Sequence, residues 1–425
     1  MTNDQNTTSA AGASRTPMPT FGGDFVVKIR AYASPHARPI DGGELVGWLL
    51  SEQCRRLDGV ALFDELCWRL IGQGIPLCFA SLSFGILHPQ IRGWAFRWWR
   101  DYGQTEQYRI KHGMEVSSYY LNSPFRPAID QGIPIHYRLD DEASLARYQL
   151  LREYRDAGAT GILVCPLPVS VGQFRVINFV TDRADGFSDR DIAGIEAILP
   201  AIGLVAESRA LRRINRDLLE LYLGRTIGHH ILEGEIFRGQ NRQLRVALMA
   251  VDLRGFTPLA DRMPGEDLIQ LLNDYFDAVA ASVHAQGGEI LKFVGDGVLA
   301  IFKPDDEADQ CAAAAALTAG QETLQRIATS NENRHAAGQE LIRIGIGLHL
   351  GEVIYGNVGS TDRLDFTAIG PAVNLVCRLE ALTKRLNRPL LVSESLAAAS
   401  PHPLVSLGFH PVRGLSEPQE VFGLP

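Results

Sequence analysis

Apolar positions recur at helical spacing through residues 44 to 70, where Leu45, Leu49, Leu57, Leu62, Leu66 and Leu70 would line one side of one or two amphipathic helices. Residues 77 to 84 read as a strand, followed by the aromatic group Trp94, Phe96, Trp98 and Trp99. Two more strands are predicted at 161–165 and 173–181, the second alternating apolar with polar. Ser188 with Asp191 three residues later is a helix-start signature, and Ile192, Ile195, Ile198 and Leu199 continue that helix. Leu211, Ile214, Leu218 and Leu221 then follow the a/d spacing of a short coiled coil. Residues 223–239, punctuated by glycine, read as a connector.

The pattern changes again near Leu244. Residues 246–251 are nearly all apolar, as in a strand buried on both faces. A helix is predicted over 266–285, with Leu268, Leu271, Leu272, Tyr275, Phe276 and Val279 on one side and Gly287-Gly288 as its stop. Residues 290–302 form a hairpin turning at Gly295, Asp296 and Gly297. An alanine-rich helix at 309–327, a polar loop at 329–339, strands at 341–350 and 365–369, and a helix at 371–386 complete the series. Pro371 suits a first helical position. The expected fold class is α+β, with the last domain an α/β sandwich of helices on a mostly antiparallel sheet. No internal repeat is present.

Composition narrows the class. The 425 residues suffice for two or three domains, and 46% apolar with 21% charged is the balance of a chain with a real core. A net charge of −8 argues against nucleic acid or an anionic membrane as the main partner. Six cysteines without a CxxC pair fit a reducing compartment and speak against a disulfide framework or zinc site. The apolar run 192–206 is broken by Glu196 and Pro200 and is too short to span a bilayer. With no signal-peptide pattern at the N-terminus, the expected location is cytoplasmic. The expected organisation is a disordered leader at 1–22, a first domain at 23–206, a helical connector at 207–240 and a last domain at 241–425.

Candidate chemistry lies in the last domain. Asp252 follows the buried strand and opens the run DLRGFT at 252–257, while Asp296 sits at the hairpin tip. If the hairpin pairs beside that strand, the two carboxylates converge. Held together they repel unless protonated or bridged by cations, and Mg²⁺ or Mn²⁺ bound jointly with phosphates resolves this. Taken singly, Asp252 reads as a helix cap and Asp296 as a turn residue.

These residues resemble the class III adenylate/guanylate cyclase catalytic domain. The resemblance rests on DLRGFT at 252–257, KFVGDG at 292–297 and DFTAIGPAVNLVCRLE at 365–380. It implies a ferredoxin-like core, and metal ligation by Asp252 and Asp296 of two Mg²⁺ or Mn²⁺ ions per site. It implies purine recognition by Lys292 and Thr367, ribose orientation by Asn374 and transition-state stabilisation by Arg378. Arg413 stands where the family has a lysine that holds the triphosphate, and Phe256 and Thr257 belong to the substrate-binding set. Lys292 carries only donors, which suits adenine N1 and opposes guanine N1–H. The implied activity is conversion of ATP to 3′,5′-cyclic AMP and pyrophosphate by a homodimer with shared sites. Pro371 in place of a frequent acid, Val376 and Cys377 in place of smaller residues, and Arg413 in place of lysine are the departures. A guanylate cyclase and a non-catalytic nucleotide sensor are the rival readings.

The first domain resembles a GAF sensor, with a PAS-like sensor as alternative, on the 161–166 and 173–181 strands and the helix start after Phe187. Such a domain would bind a small-molecule ligand and act through the connector. The aromatic group at 94–99 reads as core or as a pocket lining, and residues 121–126 as a turn or a ligand loop. His229 and His230 read as solvated or core residues rather than metal ligands.

Overall fold

Alternating strands in the front half and longer apolar runs in the back half fold into two separate compact units, Met1–Leu218 and Leu219–Pro425. The structure, a computed structural model, describes residues 19, 23–36, 40, 43–86, 88–169, 175–304 and 308–425. The leader at 1–22 lies outside the described residues except for Pro19, as do the first two residues of the 173–181 strand.

The first unit is built on a seven-stranded antiparallel sheet in the order β1-β4-β3-β2-β7-β6-β5. The strands are β1 (Val26–Ala33), β2 (Phe79–Gly85), β3 (Gly93–Trp99), β4 (Gln104–Ile110), β5 (Ile135–Arg138), β6 (Gly161–Pro166) and β7 (Arg175–Thr181). Three short helices replace the one or two expected near the front: α1 (Leu45–Leu50), α2 (Glu52–Arg56) and α3 (Gly59–Gly72). Ser51 and Asp58 cap α2 and α3 through their side chains, which is why the stretch breaks there. Four more short helices are α4 (Ser118–Leu121), α5 (Arg126–Gln131), α6 (Glu142–Arg147) and α7 (Gln149–Asp156). Residues 121–126 thus run from the end of α4 through the link at 122–125 to the start of α5.

The period-two geometry of β3 sorts its aromatics. Phe96 and Trp98 pack with Leu66 of α3, while Trp99 joins Phe79 and Tyr154 in a separate cluster. Trp98 is fully buried and meets Trp68 edge-on at 5.3 Å. Helix α8 (Asp189–Leu223) starts at the expected signature, with Ser188 and Asp191 bonding each other's backbone N–H. It runs 35 residues without a break at 206/207. Ile214 of the expected seam is buried against Ile86, Ile91 and Trp94, so part of that seam is covered within the first unit.

The second unit has eight strands: β8 (Asn241–Leu253), β9 (Glu289–Val294), β10 (Gly297–Phe302), β11 (Ile344–Gly359), β12 (Leu364–Ile369), β13 (Leu390–Ser393), β14 (Val405–His410) and β15 (Gln419–Gly423). Their order is β14-β15-β13-β11-β8-β10-β9, with β12 paired to the far end of β11. Only the β11–β13 pair is parallel. The helices are α9 (Arg225–Leu232), α10 (Phe256–Ala260), α11 (Gly265–Ala285), α12 (Asp309–Ala336), α13 (Pro371–Leu386) and α14 (Glu394–Ala399). Ala247, Met249 and Val251 of β8 face the cluster holding α11 and α12, and Val246, Leu248 and Ala250 face the cluster holding α9 and α13. The fold is mixed α+β, with the sheet buried on both faces as the apolar run required.

The expected helical connector contains α9, whose Ile227 is buried in the core and whose Gly228 lies against the α8 backbone. One expectation fails here. The loop at 329–339 is mostly the end of α12. Its polar residues are anchored: Asn331 exchanges two hydrogen bonds of 2.7 Å with the Ile342 backbone, and Arg334 donates to Asp274 at 2.8 Å.

Candidate active site

The hairpin places the first pair of acids. β10 pairs with both β8 and β9, in registers that set Val298 opposite Val251 and Gly297 opposite Val294. The intervening turn consists of Gly295, which takes φ +64°, and Asp296. That turn lies beside the end of β8, where Asp252 follows Val251. Burial and then the neighbouring Asp296, by charge and by hydrogen bonding, push the Asp252 carboxyl up to about 6. Gly255 takes φ +78° and turns the chain into α10, whose Phe256 packs on the core and whose Thr257 is exposed.

A third acid enters from α13. Burial, then Asp252, push Glu380 up to about 7, with Arg254 opposing and Asp296 adding to the rise. Tyr275 is raised by burial and by the charges of Asp252, Asp296 and Glu380. Glu380 was not among the residues singled out from the sequence. Its signal is positional: Val376, Glu380 and Thr383 fall on the helix face that lies against β11, so an acid occupies an otherwise covered stripe. The contact is close. A Cβ on Gly347 of β11 would stand 2.5 Å from the Val376 carbonyl oxygen and 2.6 Å from the Glu380 nitrogen.

Lys292 and Thr367 form a second group. Lys292 on β9 makes an ion pair with Asp365 of β12 at 3.2 Å. Thr367, two residues on, is 3% exposed, and its hydroxyl has no hydrogen-bond partner. A buried hydroxyl left unpaired costs about 1–3 kcal/mol, so it needs an explanation.

Asn374, Arg378 and Arg413 make the third group. Asn374 and Arg378 are one turn apart on α13, which begins at Pro371 as expected. Arg378, Arg385 and Arg413 line a cleft of about 540 Å³ together with Cys377 and Val412. Gly414 takes φ +76°, and a Cβ there would stand 3.0 Å from the Arg378 guanidinium. Among the described residues, no side-chain hydrogen bond or ion pair engages Asn374, Arg378 or Arg413. Unpaired guanidinium groups around one cleft favour an anion. No hydrogen bond or ion pair among the described residues joins the acid pair to Lys292, Thr367, Asn374 or Arg378. His229 and His230 are paired with Glu233 and Glu235 at 3.1 Å each, and the His230 ring stacks on Phe366 at 5.8 Å. Among the described residues, no three acidic, histidine or cysteine side chains are close enough to hold a metal by themselves. No described helix is long and apolar enough to cross a membrane.

Residues 240–399 match the family described as Adenylate and Guanylate cyclase catalytic domain. An adenylate cyclase of Anabaena cylindrica is 36% identical over 156 residues, which cover 36% of this chain and 30% of that one. Adenylate cyclase 1 of Rhizobium meliloti is 26% identical over 266 residues, covering 61% of this chain and 40% of that one. Among solved structures, the adenylyl cyclase CyaB from P. aeruginosa is 28% identical with a TM-score of 0.40, covering 43% of this chain and 94% of that one. The chain thus spans about a third of the length of these two curated relatives.

Proposed function

From a second unit that carries an adenylate/guanylate cyclase catalytic domain, we propose that the protein converts ATP to 3′,5′-cyclic AMP and pyrophosphate. The observation that carries this reading is the Asp252–Asp296 pair, in which burial and then the neighbouring Asp296 drive the Asp252 carboxyl up to about 6. Asp252 and Asp296 would hold divalent cations, two Mg²⁺ or Mn²⁺ per site, which when bound neutralise the triphosphate and acidify the ribose 3′-hydroxyl. With only two protein carboxylates, oxygen positions are left for phosphate.

The chain's own groups orient the rest. Lys292, released from Asp365, donates to adenine N1, and the unpaired Thr367 hydroxyl accepts from the 6-amino group. The second step requires Thr367 to be uncovered, since that residue is 3% exposed here. Asn374 holds the ribose so that its 3′-oxygen lines up with the α-phosphorus. The new bond is from O3′ to that phosphorus, and the bond that breaks is the one to the pyrophosphate oxygen. Arg378 meets the negative charge that grows on the phosphorus oxygens, and Arg413 holds the triphosphate. Phe256 and Thr257, which follow the Gly255 turn, complete the substrate-binding set.

Among the described residues, no hydrogen bond or ion pair joins the three groups within one chain, which suits a head-to-tail homodimer in which one copy's acids face the other's Lys292 and Arg378. Exposed Ile269, Phe293 and Val294 near the hairpin supply apolar surface for that pairing. We assign the first unit a GAF-like sensor role that regulates the cyclase. Incubation with ATP or GTP and Mn²⁺, followed by quantification of cyclic nucleotide and pyrophosphate, tests the reading. Cyclic AMP as the main product is expected, and preferred turnover of GTP, or no turnover of either, would sink it.

A further inference from the structure

The first unit holds a cleft of about 590 Å³ between α3, the β2–β3 face and α8. Its inner wall is apolar and buried, formed by Leu62, Leu66, Phe84 and Trp94. Its exposed edge is a row of arginines on α8: Arg212, Arg213 and Arg216. We propose that this cleft binds an amphiphilic acid, a molecule with an extended apolar body and one carboxylate or phosphate monoester head.

The arginine row is charged beyond what its own helix neutralises. Arg213 pairs with Asp217 at 2.8 Å, and Arg209 is spent on the carbonyls of Leu57 and Cys54 at 2.8 and 2.7 Å. Arg212 and Arg216 have no ion-pair or hydrogen-bond partner among the described residues. A second observation points the same way. Trp94 is 9% exposed and lines the cleft, yet its buried indole N–H has no acceptor. Arg213 stands 5.2 Å from its ring, so an acid head at this edge meets two or three guanidinium groups at once, and a turn of the indole toward it adds a donor.

Other occupants fit less well. A nucleotide would satisfy the arginines but bury its base and sugar polar edges against Leu62, Leu66 and Phe84 without partners. A second copy seated on this face would bury Arg212 and Arg216, which have no partner among the described residues, and would have to supply acids to meet them. The apolar wall with one cationic edge matches an amphiphile with a single acid head.

Calorimetric titration of the full chain with laurate, dodecyl phosphate, dodecanol and dodecylammonium, each below its micelle concentration, tests this. Laurate or dodecyl phosphate should bind at least tenfold tighter than dodecanol, with dodecylammonium weakest, and the tighter of the two acids identifies the head. The double variant R212Q/R216Q should lose on the order of tenfold in acid affinity and leave dodecanol unchanged. Trp94→Phe, which keeps the ring and removes the N–H, should weaken the acid a few-fold. Equal affinity for all four chains, no binding by either acid, or unchanged acid affinity in a folded R212Q/R216Q variant would overturn the proposal. The readout is binding alone, so the presence or absence of cyclase activity does not bear on it.

Discussion

Asp252, Asp296 and Glu380 are individually ordinary carboxylates and collectively a stability cost. Asp252 is driven up to about 6 and Glu380 to about 7, in both cases first by burial. An acid with a raised pKa in the folded state adds stability below its unfolded value, and that stability is lost as pH rises through the folded value. Without divalent metal, these two groups should therefore lower the melting temperature as pH rises from about 5 to 7.5. In Glu380→Gln that decline should flatten, which differential scanning calorimetry in chelator reads directly. Asp296→Asn removes the like charge beside Asp252. It should abolish turnover yet stabilise the metal-free protein by about 1 kcal/mol, a figure reduced for solvent screening of a half-exposed site. A metal-free variant that melts lower than the parent would contradict the repulsion. The acid pair was legible in the sequence because a buried strand and a tight hairpin leave little freedom in where their ends meet. Glu380 was not, since its environment is made by β11, a strand distant in sequence.

At the scale of elements, α13 was readable to the residue because proline marks its start and its apolar stripe is regular. Its seat on β11 was not, because it depends on Gly345 and Gly347 rather than on any pattern in the helix. A Cβ on Gly347 meets backbone atoms at 2.5 and 2.6 Å, which cannot rotate away. Gly347→Ala should cost about 2–3 kcal/mol through overpacking. Because the helix shifts with Asn374 and Arg378 on it, cyclase activity should fall by more than the folded fraction does. Thermal unfolding beside a turnover assay separates the two. A stable, fully active Gly347→Ala protein would show that the helix does not need this seat. The end of α12 escaped the sequence reading for a different reason. Its last turns are polar because their partners, Asp274 and the Ile342 backbone, are polar, so apolar periodicity fades while the helix continues.

On the scale of the whole molecule, composition and pattern announced two globular parts, but not where one ends. The boundary between units falls at 218/219, inside a helix that continues to Leu223, and the expected start of the connector at 207 does not interrupt that helix. The division of the candidate site has a sharper consequence. If Asp296 of one copy works with Arg378 of another, Asp296→Ala and Arg378→Ala homodimers each have two dead sites, for opposite reasons. Mixing them under exchange makes half of the dimers mixed, and each of these has one site with both defects and one with neither. About a quarter of the parent activity should return, from two preparations that are each inactive. The recovered activity should vanish when one variant carries both substitutions, and it should rise with time at the rate of subunit exchange. A mixture that stays as inactive as its components, while exchange is demonstrated by differently labelled copies, would place both residues in the same chain's site and end the shared-site reading.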